Sequence, residues 1–166
     1  MIERQRDELI TTESRLNEAQ KIAKTGNFEI HSENGIGSYS DECKVIFELT
    51  DSDVVQDFRQ VIRPKIKPSE KVFEDCFKPQ LLNDSEAKEC EFEFISSTKN
   101  SKWLNIRLQK KQDEFGNILV SATVQDITKN MKEQAARIEN IKNLRFTEEL
   151  INSQETEKNR ISAELH

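Results

Sequence analysis

The chain has 166 residues, of which 34% are hydrophobic and 34% charged, with a formal net charge of −6. That acidic balance excludes the basic face a nucleic-acid partner requires, and so polar a composition leaves part of the chain as solvated helix with little core behind it. No apolar run approaches the roughly 18 residues that span a bilayer, and no apolar signal core opens the sequence, so no membrane contact is expected of this stretch.

The chain starts and stops within helical pattern and reads as a segment of a longer protein, cytoplasmic here, with a membrane anchor upstream left open. The three cysteines, Cys43, Cys76 and Cys90, are odd in number and widely spaced. They are expected to be reduced thiols, neither a disulfide framework nor a metal site.

Residues 1–24 place Ile2, Leu9 and Leu16 seven apart on an otherwise polar segment. A seam that sparse cannot bury itself alone, and a two-stranded coiled coil is one way to cover it; packing on the chain's own domain is the other. Thr25-Gly26 ends the segment, with Gly26 suited to a helix C-terminal cap.

From Gly26 to Thr128 the pattern changes. Phe28 and Ile30 alternate with polar residues, Asn34-Gly35 signals a hairpin, and Gly37–Tyr39 is the return strand. Ser40 caps a helix expected over 41–49, and Val54, Phe58, Val61 and Ile62 suggest another over 54–62, ended by Pro64. A third is expected from Ser69, carrying Val72, Phe73, Cys76 and Phe77. Three alternating segments follow, 89–96, 102–112 and 117–126, separated by turns short enough for antiparallel hairpins. The fold class expected is α+β, a five-stranded antiparallel sheet with short helices on one face, flanked by N- and C-terminal coiled-coil helices.

This order, with Gly26-Asn27-Phe28-Glu29 opening the first strand, Lys102-Trp103-Leu104 opening a later one and Asp126-Ile127-Thr128 closing the last, resembles a PAS sensor domain. Lys67-Pro68-Ser69-Glu70 departs from the His-Pro-Asp-Asp frequent in that family. The resemblance covers about 22–130 and implies that Asp126, Ile127 and Thr128 couple the last strand to the helix that follows. It also implies room for a small ligand between sheet and helices, lined by Phe47, Phe58, Phe73, Phe77, Phe92, Phe94 and Ile106. The same residues make a plain core of the right size, and that reading is preferred.

From Lys129 onward no Gly or Pro interrupts 38 residues, enough for a helix of about 57 Å. Thr128 is a candidate N-cap. Met131 and Ile138 are seven apart, and Leu144, Ile151, Lys158 and Leu165 keep a second seven-residue spacing, but Ile138 to Leu144 is six. Register breaks of this kind alter coiled-coil winding locally. The helix is read either as having two competing packings around 138–144, which an upstream domain biases, or as carrying a break without a role.

The closing run, Glu155-x-Glu157-x-x-Arg160-Ile161-x-x-Glu164-Leu165-His166, resembles the start of the dimerisation and phosphoacceptor helix of sensor histidine kinases. The resemblance implies that His166 accepts phosphate, as a neutral imidazole can near pH 7; a histidine left by a cloning vector is the competing reading. Four glycines in total cannot build a kinase nucleotide lid, so these residues are expected to be inactive alone, with ATP serving the parent protein and no cofactor bound here. His31 is read as solvated, and none of the cysteines sits in the Asn-Cys-Arg context of flavin-binding relatives.

The organisation expected is an N-terminal coiled-coil helix (1–24), a PAS domain (25–128), a signal-coupling coiled coil (129–154) and the start of the phosphoacceptor helix (155–166). The dimer seam is Ile2, Leu9, Leu16, Met131, Ile138, Leu144, Ile151 and Leu165, giving a homodimer whose parent passes phosphate to a response regulator. The alternative is a PAS module for dimerisation and protein contacts joined to another output, such as a nucleotide cyclase.

Overall fold

The computed structural model describes residues 2–67, 75–78 and 86–164. The chain divides into two compact units, one through Thr128 and one from Lys129 onward. The first opens with α1 (Ile2–Ala23), none of whose residues is buried. Its apolar positions stay in solvent, with Ile2 83%, Leu9 68% and Leu16 56% exposed. A hydrogen bond ties its last turn to the domain, Gln20 Nε2 donating to Asn27 Oδ1 at 3.0 Å.

Lys24 takes the left-handed turn after α1, at φ 50°, so Gly26 is not the cap expected of it. Gly26 lies inside β1 (Thr25–His31). A Cβ there would sit 2.6 Å from the backbone of Cys43; the missing side chain lets the next helix lie against the strand.

Among the described residues six strands form one antiparallel sheet in the order β2-β1-β6-β5-β4-β3. They are β1, β2 (Gly37–Tyr39), β3 (Ile66–Lys67), β4 (Lys88–Ile95), β5 (Ser101–Gln112) and β6 (Ile118–Asp126). Five were expected from sequence; the sixth, β3, is a two-residue edge pairing Ile66 with Phe94, too short for an alternation to register. The register sets Phe28 opposite Ala122, Ile106 opposite Val124 and Phe92 opposite Leu104. One residue in two along β1, β5, β6 and the second half of β4 therefore faces a single buried layer, which holds Phe28, Ile30, Phe92, Phe94, Leu104, Ile106, Leu108, Val120, Ala122 and Val124.

Short helices cover that layer. In α2 (Asp41–Ile46) the Ser40 hydroxyl accepts from Cys43 N at 3.3 Å and from Asn27 N at 3.0 Å, so one side chain caps the helix and pins β1. The helix ends short of the expected residue 49 because Glu48 turns left-handed at φ 54°. Its carboxylate then accepts from Ser96 Oγ at 2.7 Å and Ser97 N at 3.3 Å, tying the turn to the β4–β5 loop.

Next comes α3 (Phe58–Ile62), which starts later than the expected residue 54 because Asp57 is its N-cap. Residues 51–55 form turns instead, with Asp53 Oδ2 accepting from Thr50 N at 2.9 Å. Asp57 also pairs with Arg59 at 3.0 Å, and Arg59 Nη1 donates to Ser32 O at 3.1 Å, clasping α3 to the β1–β2 hairpin. At the tip of that hairpin Gly35 is left-handed, at φ 69°. The helix expected from Ser69 begins outside the described residues; 75–77 are helical.

The cysteine expectation is corrected in part. Cys76 and Cys90 are joined in a disulfide, and only Cys43 is a free thiol. Sequence spacing missed the pair because the fold sets side by side, on a helical turn and a strand, two cysteines 14 positions apart.

The second unit is the long helix α4 (Thr128–Glu164), 37 residues with none buried, about 55 Å of helix at the standard rise.

Candidate signal-coupling site

The residues Asp126, Ile127 and Thr128 end the central strand β6 and begin α4. Their hydrogen bonds close a small knot. Asp126 N donates to Lys24 O at 3.0 Å, so the last strand is bonded to the residue that follows α1. Ile127 N donates to Trp103 O at 2.9 Å, and Trp103 N donates to Thr128 Oγ1 at 2.9 Å, extending the β5–β6 ladder by a side chain. Asp126 Oδ1 in turn accepts from Thr128 Oγ1 at 2.5 Å and from Thr128 N at 3.0 Å.

Thr128 was expected to cap the helix, but its hydroxyl turns back to the sheet and the Asp126 carboxylate takes the first helical N–H. That arrangement satisfies one of the donors left open at a helix start and places negative charge there. Backbone bonds tie Asp126 to Lys24 and Ile127 to Trp103, and the Thr128 and Asp126 side chains link Trp103 to the start of the helix. Lys24, Trp103 and Asp126 therefore cannot shift independently without breaking hydrogen bonds.

The aromatic rings of the core form a continuous layer. Phe58 lies 4.6 Å from Phe28, 5.1 Å from Phe47 and 5.7 Å from Phe77, and Phe47 lies 5.9 Å from Phe94, as ring centroids. Of the residues proposed to line a pocket, Phe47, Phe58, Phe77, Phe92, Phe94 and Ile106 are all buried in this core; Phe73 lies outside the described residues. Phe28 and Tyr39 belong to the same ring cluster, Tyr39 5.9 Å from Phe28. Strand alternation marks Phe28 as buried, but a three-residue strand gives no such signal for Tyr39. The Tyr39 hydroxyl is shielded from solvent without a hydrogen-bond partner, and burial pushes its phenol well above the usual range. The Cys43 thiol is likewise pushed up by burial and is an unreactive core group.

The seam residues of α1 and α4 are exposed, with Ile138 53%, Leu144 65% and Ile151 49% accessible and Met131 half-buried. Ile141, Phe146, Leu150 and Ile161 are exposed as well. Leu165 and His166 lie outside the described residues. His31 is exposed at the end of β1. Among the described residues no helix is long and apolar enough to cross a membrane.

No protein-family model matches the chain, and no curated protein is similar to it in sequence. Solved structures are similar in fold. A sensory box histidine kinase/response regulator from Burkholderia thailandensis superposes with a TM-score of 0.54 at 16% identity, over 79% of this chain and 98% of that one. The PAS domain of an HTR-like protein from Haloarcula marismortui gives 0.52 at 16% identity, over 75% and 99%. The N-terminal domain of a diguanylate cyclase with PAS/PAC sensor from Marinobacter aquaeolei gives 0.50 at 11%, over 64% and 98%. The chain has the PAS fold.

Proposed function

We propose that the chain is the sensory and signal-transmitting segment of a two-component sensor histidine kinase, with the PAS domain relaying its state through a dimeric coiled coil to His166. The observation that carries this reading is the hydrogen-bonded knot Lys24–Asp126–Thr128–Trp103, because it makes the start of α4 answer to the geometry of the sheet. The exposed apolar seams of α1 and α4 support pairing with a second copy, since a helix that polar buries its stripe only against a partner.

The run Arg160-Ile161-Ser-Ala-Glu164-Leu165-His166 favours a kinase output. In the reaction the neutral imidazole nitrogen attacks the γ-phosphorus of ATP. A P–N bond forms, the bond from the γ-phosphorus to its bridging oxygen breaks, and ADP leaves. The ring then loses its proton and the phosphoryl group passes to a response regulator. No cofactor is required in the PAS core itself, and a cytoplasmic setting suits both ATP and regulator.

A second reading, a PAS module attached to a nucleotide cyclase, is favoured by the likeness to the diguanylate cyclase sensor. Incubating the intact protein with γ-labelled ATP separates the two. The kinase reading expects acid-labile, alkali-stable label that His166→Gln removes. Absence of label together with conversion of GTP to a cyclic product supports the cyclase.

A further inference from the structure

We propose that Cys76 and Cys90 are a reversible thiol–disulfide pair, oxidised by peroxides and reduced by cellular thiols. The geometry of the fold sets this pair apart. Cys90 is half-buried on β4, on the same side as Phe92 and Phe94, and Cys76 sits buried on the helical turn 75–77 facing it, with Cα atoms 6.5 Å apart. That separation lies inside the range a disulfide spans. The third cysteine, Cys43, is buried and free, with no sulfur partner, so the pairing is specific.

The bond is not what builds the domain. Among the described residues, seventeen buried hydrophobic residues besides Cys76 form its core, and with three cysteines in 166 residues the chain is no disulfide scaffold. The helical turn is held without it by Phe77 against Phe58 and by Lys88 Nζ donating to Asp75 O. Opening the bridge therefore releases one tether between turn and strand and leaves the core closed, which is the behaviour of a regulatory bond.

Cys90, less buried than Cys76, is the sulfur an oxidant reaches first. Its thiolate attacks the O–O bond of hydrogen peroxide, giving a sulfenic acid and hydroxide, which takes up a proton to become water. The Cys76 thiol then displaces the sulfenic oxygen as a second water and closes the S–S bond. The sum is two thiols and one peroxide to one disulfide and two waters, two electrons passing from sulfur to oxygen. Reduction by glutathione runs through thiolate exchange and a mixed disulfide.

Only the meaning of this bond as a signal rests on the sensor reading. The chemistry is tested by counting cysteines, a result independent of phosphate on His166. The purified chain is treated with hydrogen peroxide or dithiothreitol, then unfolded with N-ethylmaleimide and weighed. The reduced chain is expected to take a label on each of Cys43, Cys76 and Cys90, and the oxidised chain on Cys43 alone. Glutathione should restore full labelling. Cys90→Ser, treated with peroxide, should label both remaining cysteines without forming a bridge. Full labelling after peroxide, or a bridge that glutathione leaves intact, would overturn the proposal. So would oxidation that links two chains instead of closing within one.

Discussion

A methyl group at Gly26 would meet the Cys43 backbone at 2.6 Å, and neither strand nor helix can retreat without losing the Ser40 hydrogen bonds that pin them together. Gly26→Ala is expected to lower unfolding free energy by about 1–3 kcal/mol, read from urea denaturation; an unchanged midpoint would mean that α2 is not held against β1. Glu48 presents a different test. Desolvation works to raise its carboxyl, but hydrogen bonds from Ser96 and Ser97 and the charge of Lys102 outweigh it and hold the group below its ordinary value. A lowered folded-state pKa contributes stability that is present above the unfolded value and lost as pH falls through the folded one. Acid should therefore weaken the wild type as pH drops below about 4.5, and Glu48→Gln should show a flatter acid limb. A variant with the wild-type acid limb would remove the carboxylate from the account. Where β6 meets α4, Asp126→Ala removes the acceptor for both the Thr128 amide and hydroxyl, a loss of about 1–2 kcal/mol in unfolding free energy from urea denaturation. Residues such as Phe58 and Phe94 announce their burial through spacing and alternation. The two sulfurs of the disulfide and the roles of Gly26 and Glu48 arise from contacts between distant segments, and no local pattern carries those.

Among the elements, the long strands were legible because alternation over eight or more residues has one physical reading, a half-buried strand. The short helices were legible in kind and not in length. Their ends are set by Asp57 as a cap and Glu48 as a left-handed turn, and both choices depend on partners elsewhere in the fold. In α4 the apolar residues stand exposed along a single chain, and the sequence does not say what covers them. If the seams pair two copies, sedimentation equilibrium should give a dimer, and Leu144→Lys combined with Ile151→Lys should give a monomer with the PAS sheet intact by circular dichroism. A wild-type monomer would set the coiled-coil reading aside. The six-residue step from Ile138 to Leu144 belongs to the same helix. One residue inserted there should change how the intact protein's output responds to its signal, and unchanged regulation would leave the step without a role.

For the molecule as a whole, sequence and fold contribute different parts of the reading. The order of strands and helices and the Asp-Ile-Thr ending were enough to suggest a PAS domain, and the sheet order and the similar solved structures establish that fold. Output is not written in the fold, since similar sheets occur in a histidine kinase and in a diguanylate cyclase. The kinase proposal therefore stands on the last residues of the chain and on the knot that ties the sheet to the helix leading to them. The most direct test is the site and rate of phosphorylation in the intact protein given ATP, measured by phosphopeptide mapping in the wild type and in Asp126→Ala. The account predicts phosphate on His166 in both, with a changed rate in the variant. Phosphate absent from His166, or an equal rate in the two proteins, would contradict it.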